Sequence, residues 1–503
     1  MEGILIYSLL SALFLWLATK FIVSISSRRN LPPSPSALPI LGHLHLLREP
    51  LHRTLFSLSQ KHGPIFSLKL GSRFLVVVSS PSAVQQCFTK NDVVLANRPR
   101  LVIGKYVGYN NTTLGLAPYG DHWRNLRKLS TVEIFSSTRL NTSLDIRGDE
   151  INRLLLRLHR VSADGFAKVE LKSMFSELTF NIIMRMMAGK RYFGDEAAQN
   201  SDEGRRFREL IKEVFELAVS SYPGDFLPIL QLVDYNGYIR RIKDLGKETD
   251  ELMQEMIDEH RRNRGDSSIK NTMITHLLSL QASQPEYYTD LIIKGLIQAI
   301  LNAGTDTTAL TLEWAMSNLL NNPQVLVKAR AELDEHIGQE KLVEEADVAK
   351  LPYLQCIISE TLRLYPAAPL LVPHSASEIC TVGGYEIPKD AILMVNAWAI
   401  QRDPKLWDDP TSFKPERFEH GKETGDLMYK LMPFGLGRRA CPGMVLAQHV
   451  LWSTLGALIQ CFEWERVSDK AIDMTEGKGI TMPKLEPLEA MCKTSPLGKK
   501  LLA

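Results

Sequence analysis

Cys441 lies in a glycine-rich loop, Phe434-Gly-Leu-Gly-Arg-Arg-Ala-Cys441-Pro-Gly443, beside two arginines and just ahead of a long apolar segment. A cysteine that binds a metal does so as a thiolate, and nearby positive charge and a helix N-terminus both lower a thiol pKa. Gly435, Gly437 and Gly443 let backbone N–H groups approach the sulfur closely. Met444 to about Glu463 is apolar nearly all round, which predicts a buried helix whose positive end faces Cys441. The chemistry on offer is a metal–thiolate bond. The plain alternative is a buried, inert cysteine. Gly435-x-Gly437-x-x-Ala440 also matches a dinucleotide fingerprint, but Tyr429–Pro433 ahead of it is a poor strand and no strand–helix–strand pattern surrounds it.

A second constellation is Ala303-Gly304-Thr305-Asp306-Thr307-Thr308, in the middle of a helical run from Asp290 to Asn321. Gly and Thr are poor helix-interior residues, and Thr hydroxyls can bond back to the preceding turn and bend a helix. The expectation is a local break with room for a small ligand and water. An acid and an alcohol side by side, Asp306 and Thr307, can pass protons. The alternative is a packing glycine among threonines that face other helices.

Glu360 and Arg363 are spaced three apart on the helical run Leu351–Leu364 and share a face with Tyr353, Ile357 and Leu364. A buried pair needs further partners, and Arg417 in Phe413-Lys-Pro-Glu-Arg417-Phe418 could complete a Glu–Arg–Arg cluster. Trp123 and Arg127, four apart, also share a helix face.

Taken together these stretches resemble the cytochrome P-450 monooxygenases. The loop is similar to the haem-binding signature Phe-x-x-Gly-x-Arg-x-Cys-x-Gly, with Phe434, Gly437, Arg439, Cys441 and Gly443 in its fixed places. The resemblance implies that Cys441 is the axial ligand of a haem b iron, where a thiolate pushes electron density towards O–O cleavage. It implies that Thr307 hydrogen-bonds dioxygen and that Asp306 relays protons. It also implies that Trp123, Arg127, Arg439 and His374 bind the haem propionates, for which an arginine fork is well shaped. Glu360, Arg363 and Arg417 would brace the core. Asn97-Arg-Pro99, Tyr119-Gly-Asp-His-Trp-Arg124 and Lys90–Arg100 are similar to plant microsomal members, in the group containing isoflavonoid hydroxylases.

The elements that must position these residues are mostly helical. Amphipathic segments cover Ile151–Leu158, Glu170–Met187, Arg205–Val219, Lys247–Asn263 and Asp290–Asn321, the last roughly 48 Å long at 1.5 Å per residue. Ile65–Leu70 and Phe74–Ser80 read as a hairpin, and Thr381–Ile387 with Ala391–Val395 as a second β patch. The expected fold is mainly α with a smaller β-rich lobe, the cytochrome P-450 fold, preceded by one N-terminal transmembrane helix. Ile4–Thr19 and Phe21–Ile25 are apolar, and Arg28-Arg29 follow on the side that stays cytosolic. The domain reading is an anchor over 1–27, a basic flank and proline-rich hinge over 28–50, and a catalytic domain over 51–503.

Among 503 residues, 59 Lys and Arg against 57 Asp and Glu leave a net charge of +2, which argues against nucleic-acid binding. Six scattered cysteines show no disulfide or zinc spacing and suit a reducing compartment. The resemblance implies a substrate pocket lined by Leu101–Leu116, Phe215–Phe226, Gln298–Gly304, Ala367–Val372 and Gly479–Met482, with Tyr106, Tyr109, Asn110 and Asn111 suited to a phenolic ring. The resulting expectation is a monooxygenase (a hydroxylase, or one that couples rings or closes a methylenedioxy bridge) of the endoplasmic reticulum membrane, single-pass, with its catalytic domain cytosolic. It would insert one atom of O2 into a lipophilic plant metabolite, a flavonoid, isoflavonoid, lignan or other phenolic, or a terpenoid. Electrons would come from NADPH through NADPH-cytochrome P-450 reductase, docked on a basic face including some of Lys422, Lys430 and Arg438. The rivals are an electron-independent haem-thiolate isomerase or dehydratase and a non-enzymatic haem protein. The intact Asp306-Thr307 pair weighs against both.

Overall fold

The structure, a computed structural model, describes residues 30–194, 222–263, 272–419 and 427–502, with parts of 205–217. The expected anchor, Arg28-Arg29, Lys422 and most of residues 215–221 lie outside the described residues. The fold is mainly helical with small sheets.

Short apolar runs rich in β-branched and aromatic residues make β1 (Ile65–Leu70) and β2 (Arg73–Val78) an antiparallel hairpin, buried along most of both strands. Gly71 turns it at a φ of 55°, and any side chain there would strike the carbonyl oxygen of Phe226. β7 (Ile392–Val395) runs parallel to β2, and β4 (His374–Ser375) closes a sheet of order β1-β2-β7-β4. A parallel pair needs a crossover, and here most of the helical body lies between the two strands. The second β patch divides at Gly383 and Gly384, both at positive φ, into β5 (Cys380–Val382) and β6 (Tyr385–Ile387), a hairpin separate from β7. A third sheet, β3 (Ala167–Glu170), β9 (Glu489–Thr494) and β8 (Phe462–Glu465), joins short strands distant in sequence. The apolar run after Cys441 is therefore a helix, Met444–Cys461, that passes directly into β8.

The long helix Asp290–Asn321 packs along the helix Leu171–Ala188. Gly304 permits this, because a Cβ there would meet Ile183 Cδ1 at 2.9 Å. The helix Met444–Cys461 is, among the described residues, the one helix long and apolar enough to cross a membrane, but 67% of it is buried within the protein and it is a core element. The proline-rich segment is pinned to β1. Ser67 donates to Pro33 O at 2.8 Å and Pro32 O at 2.9 Å, and His43 N donates to Lys69 O at 2.7 Å.

Candidate active site

The cysteine loop is closed by the N–H of Cys441, which donates to Phe434 O at 2.8 Å. Gly435 and Gly437 take φ of 70° and 64°. A side chain at Gly437 would also collide with the Asp92 carboxylate. Cys441 opens onto a cavity yet lies deep among protein atoms. Burial pushes its thiol up, and the Gly443 N–H and Arg127 act downward without overcoming it. A coordinated metal cation deprotonates a thiol outright, so ionisation would come with the metal.

The cavity, about 350 Å³, lies between this loop and the long helix. Cys441, Phe434 and Gly443 line one wall, and Ala303, Gly304 and Thr307 the other. Thr179, Ile182 and Ile183 close it from the helix Leu171–Ala188, and Ala367, Ala368, Leu371 and Val372 flank it. Most of this lining is apolar.

Several expected wall residues are elsewhere. Of Leu101–Leu116 only Leu114 and Gly115 reach the cavity, and neither Phe226 nor Gly479–Met482 does. Tyr106, Tyr109, Asn110 and Asn111 do not line it either. Tyr109, Asn110 and Asn111 take successive φ of 48°, 57° and 60°, which turns this stretch away. Tyr109 is half-buried instead near Asp250, and desolvation followed by that carboxylate pushes its phenol well up. Thr179, Ile182, Ile183, Phe135 and Arg98 line the cavity without being among the expected residues. No local spacing signals them, although Arg98 falls within the motif Asn97-Arg-Pro99.

Three guanidinium groups crowd the cavity, those of Arg98, Arg127 and Arg439. Each is held by backbone carbonyls. Arg98 Nη1 donates to Val372 O and Pro373 O, both at 2.8 Å. Arg127 Nη1 donates to Ala440 O at 2.6 Å, and Arg439 Nε to Ala96 O at 2.7 Å. None of the three makes an ion pair with a carboxylate among the described residues. Burial takes Arg98 down to about 10, and burial with repulsion from Arg98 and Arg127 takes Arg439 down to about 9. Arg439 also lies over the Trp123 ring at 4.3 Å. His374 shares the cavity and bonds Leu95 O through Nδ1 at 2.7 Å; burial first, then Arg98, keeps it neutral. Trp123 Nε1 donates to Leu114 O at 3.1 Å, so its expected role as a propionate donor would require that bond to be shared or exchanged. Clustered, half-desolvated cations without counter-charge suit a ligand that brings its own negative charge.

A family model described as Cytochrome P450 matches residues 32–488. The chain belongs to the cytochrome P450 family. It is 56% identical over 500 residues to cytochrome P450 81Q32 of Catharanthus roseus, covering 99% of this chain and 98% of the relative. It is 55% identical over 498 residues to the isoflavone 3'-hydroxylase of Medicago truncatula, covering 98% of each. It is 54% identical over 509 residues to the (+)-piperitol/(+)-sesamin synthase of Sesamum radiatum, covering 100% of this chain and 99% of the relative. The protein is a cytochrome P450 monooxygenase, a haem-thiolate enzyme fed electrons from NADPH through a reductase. The cavity suits that cofactor, because a single cysteine lies in one wall and the three arginines could meet two propionates.

In this cytochrome P450 the long helix is unbroken through Ala303–Thr308, which corrects the expected kink. The threonines satisfy themselves within the helix. Thr305 donates to Leu301 O at 2.9 Å, Thr307 to Ala303 O at 2.8 Å and Thr311 to Thr307 O at 2.8 Å. Thr307 lines the cavity, whereas Asp306 occupies the neighbouring face, where Thr481 Oγ1 donates to its Oδ2 at 3.1 Å. Burial pushes the Asp306 carboxyl up, and Thr481 and Lys172 act downward.

Behind the cavity Arg363 grips Glu360 through two bonds, at 2.6 and 2.7 Å, with both side chains at 0% exposure. Arg417 Nε joins at 3.2 Å, and Lys414 N donates to the same Glu360 oxygen at 2.9 Å. Arg438 is one of the cations expected on the docking face. It is held by Asp92 and by the Tyr119 hydroxyl, both at 2.7 Å.

Proposed function

We propose that this cytochrome P450 oxidises a plant phenolic of flavonoid, isoflavonoid or lignan type at the cavity between Cys441 and Thr307. The observation that carries this reading is one apolar cavity with a cysteine in one wall and a helix alcohol in the other. Bound haem supplies dioxygen activation. Cys441 would hold its iron through the thiolate, and Phe434, Gly437 and Gly443 shape the loop around the sulfur. Arg98, Arg127 and Arg439 hold the propionates, with Trp123 and His374 completing that end. Thr307 presents a hydroxyl to the cavity, and Asp306 passes it protons drawn from solvent. The apolar walls exclude bulk water, so protons arrive through side chains. Glu360, Arg363 and Arg417 brace the core. The substrate class follows from the isoflavone 3'-hydroxylase and (+)-piperitol/(+)-sesamin synthase, whose names specify an isoflavone and lignans.

The membrane reading rests on the apolar N-terminal stretch with its basic flank, and on exposed apolar residues nearby. Ile40 is 83% and Leu232 86% exposed. The β1–β2 turn gathers both segments, since Gly71 N donates to Leu41 O at 3.2 Å and Ser72 N to Phe226 O at 2.9 Å. With residues 32–43 pinned to β1, the joint to the anchor lies before Pro32. The setting is the endoplasmic reticulum membrane, with the body cytosolic and a membrane-bound NADPH-cytochrome P450 reductase as donor.

The test is turnover in microsomes that carry this protein and a plant reductase, with NADPH and a panel of flavonoids, isoflavones, lignans and terpenoids. The expected result is an NADPH-dependent product from a phenolic, one oxygen heavier, or lighter by two hydrogens where a methylenedioxy bridge closes. Turnover of terpenoids alone would overturn the substrate class. A Cys441→Ala protein that kept the red-shifted reduced-CO band would overturn the ligand assignment.

A further inference from the structure

The hairpin over residues 475–485 is not a cavity wall, and its contacts point to another role. Its stem is closed by Gly477 N donating to Pro483 O at 2.8 Å and Leu485 N donating to Thr475 O at 2.9 Å. The base is anchored where Glu476 accepts from His52 and Arg53, both at 2.8 Å. Past the tip, adjacent residues reach into the catalytic half. Thr481 Oγ1 donates to Asp306 Oδ2, Met482 N donates to Ala367 O at 3.1 Å, and Trp314 Nε1 donates to Met482 O at 2.7 Å. Ala367 is part of the cavity lining, while Asp306 and Trp314 belong to the long helix. The hairpin thus ties the cavity flank to the carboxyl of Asp306, on a helix face that Thr307 does not occupy.

We propose that Thr481 is a positioning residue for Asp306, fixing the carboxyl through Oδ2 so that its proton is carried on, and leaves from, Oδ1. This rests on the reading of Asp306 as the proton carrier. Asp306 loses the Oδ1 proton towards the Thr307 side and regains one from water, and no electrons move. The charged group that bears on Asp306 is Lys172, from the helix Leu171–Ala188, and the hairpin contributes only the hydroxyl. Because the Thr481 bond favours the carboxylate, its loss raises the Asp306 pKa.

The experiment compares Thr481→Val, Thr481→Ser and Asp306→Asn in the haem-loaded enzyme. One readout is product formed per NADPH consumed. The other is the pH titration of the protonated-carboxyl infrared band that Asp306→Asn removes. Thr481→Val is expected to lower coupling about fivefold, the worth of one hydrogen bond, and to shift the band's midpoint to higher pH. Thr481→Ser is expected to restore both. Normal coupling and an unmoved midpoint in Thr481→Val, with Asp306→Asn uncoupled, would overturn the role of Thr481 and leave that of Asp306 standing. Normal coupling in Asp306→Asn would overturn both.

Discussion

Arg127 donates to the carbonyl oxygen of Ala440 at 2.6 Å, and Ala440 is the residue immediately before Cys441. One side chain on the helix Asp121–Leu129 therefore both lines the cavity and struts the cysteine loop. Arg127→Ala is expected to weaken haem binding about tenfold, as removal of a supporting partner of a metal ligand typically does. Arg127→Lys should recover part of it, since a lysine keeps the charge without the fork. Haem content per polypeptide, measured by pyridine haemochrome, checks this. Full occupancy in Arg127→Ala would show that the strut is dispensable.

Thr307→Ala is expected to keep haem and fold. Among the described residues its hydroxyl bonds only the Ala303 carbonyl within its own helix, and alanine favours helix more than threonine does. The melting temperature should stay within a few degrees, while NADPH consumption runs well ahead of product. A variant as tightly coupled as the parent would remove Thr307 from proton handling.

The Glu360–Arg363 pair predicts a severe folding defect. Glu360→Gln or Arg363→Leu leaves the partner's charge buried at 0% exposure, which costs about 3–5 kcal/mol. Arg363→Leu would also deprive the carbonyls of Gln401 and Pro410 of their donor, at 2.7 Å from each. Denaturant unfolding should show the loss, with little soluble protein for Arg363→Leu. Stability near the parent's would mean that neighbouring groups take over.

Glu476 sets an acid limit. Burial would push its carboxyl up, but the hydrogen bonds from His52 and Arg53 outweigh burial and bring it down to about 2. A folded-state value below the unfolded one means stability that is present above about pH 4.5 and lost as pH falls towards 2. The contribution is of order 3 kcal/mol at neutral pH. Glu476→Gln should melt lower at pH 7 and show a flatter stability profile between about pH 4.5 and 2. An unchanged profile would assign acid unfolding to other carboxylates.

Much of the site is legible because its chemistry is local. Phe434 to Gly443 contains Cys441, its glycines and Arg439 within one loop. Glu360 with Arg363, and Trp123 with Arg127, follow helix periodicity, which places residues three or four apart on one face. The long helix has the bounds the sequence suggests, Asp290 to Asn321. The kink expected at Ala303–Thr308 does not form, because poor helix propensity is a weak term beside tertiary packing and back-bonded hydroxyls.

The sequence alone determined the cysteine loop, the acid–alcohol pair, the buried ion pair and the helical class, because each depends on neighbours a few residues away. Tertiary structure alone decided which walls enclose the cavity, that Arg98 joins Arg127 and Arg439, and that Asp306 turns to Thr481 while Thr307 faces the cavity. The Asp306–Thr481 contact spans 175 residues and the Arg127–Ala440 bond 313. They depend on how helices such as Leu171–Ala188 and Asp290–Asn321 close-pack, a condition no local spacing encodes.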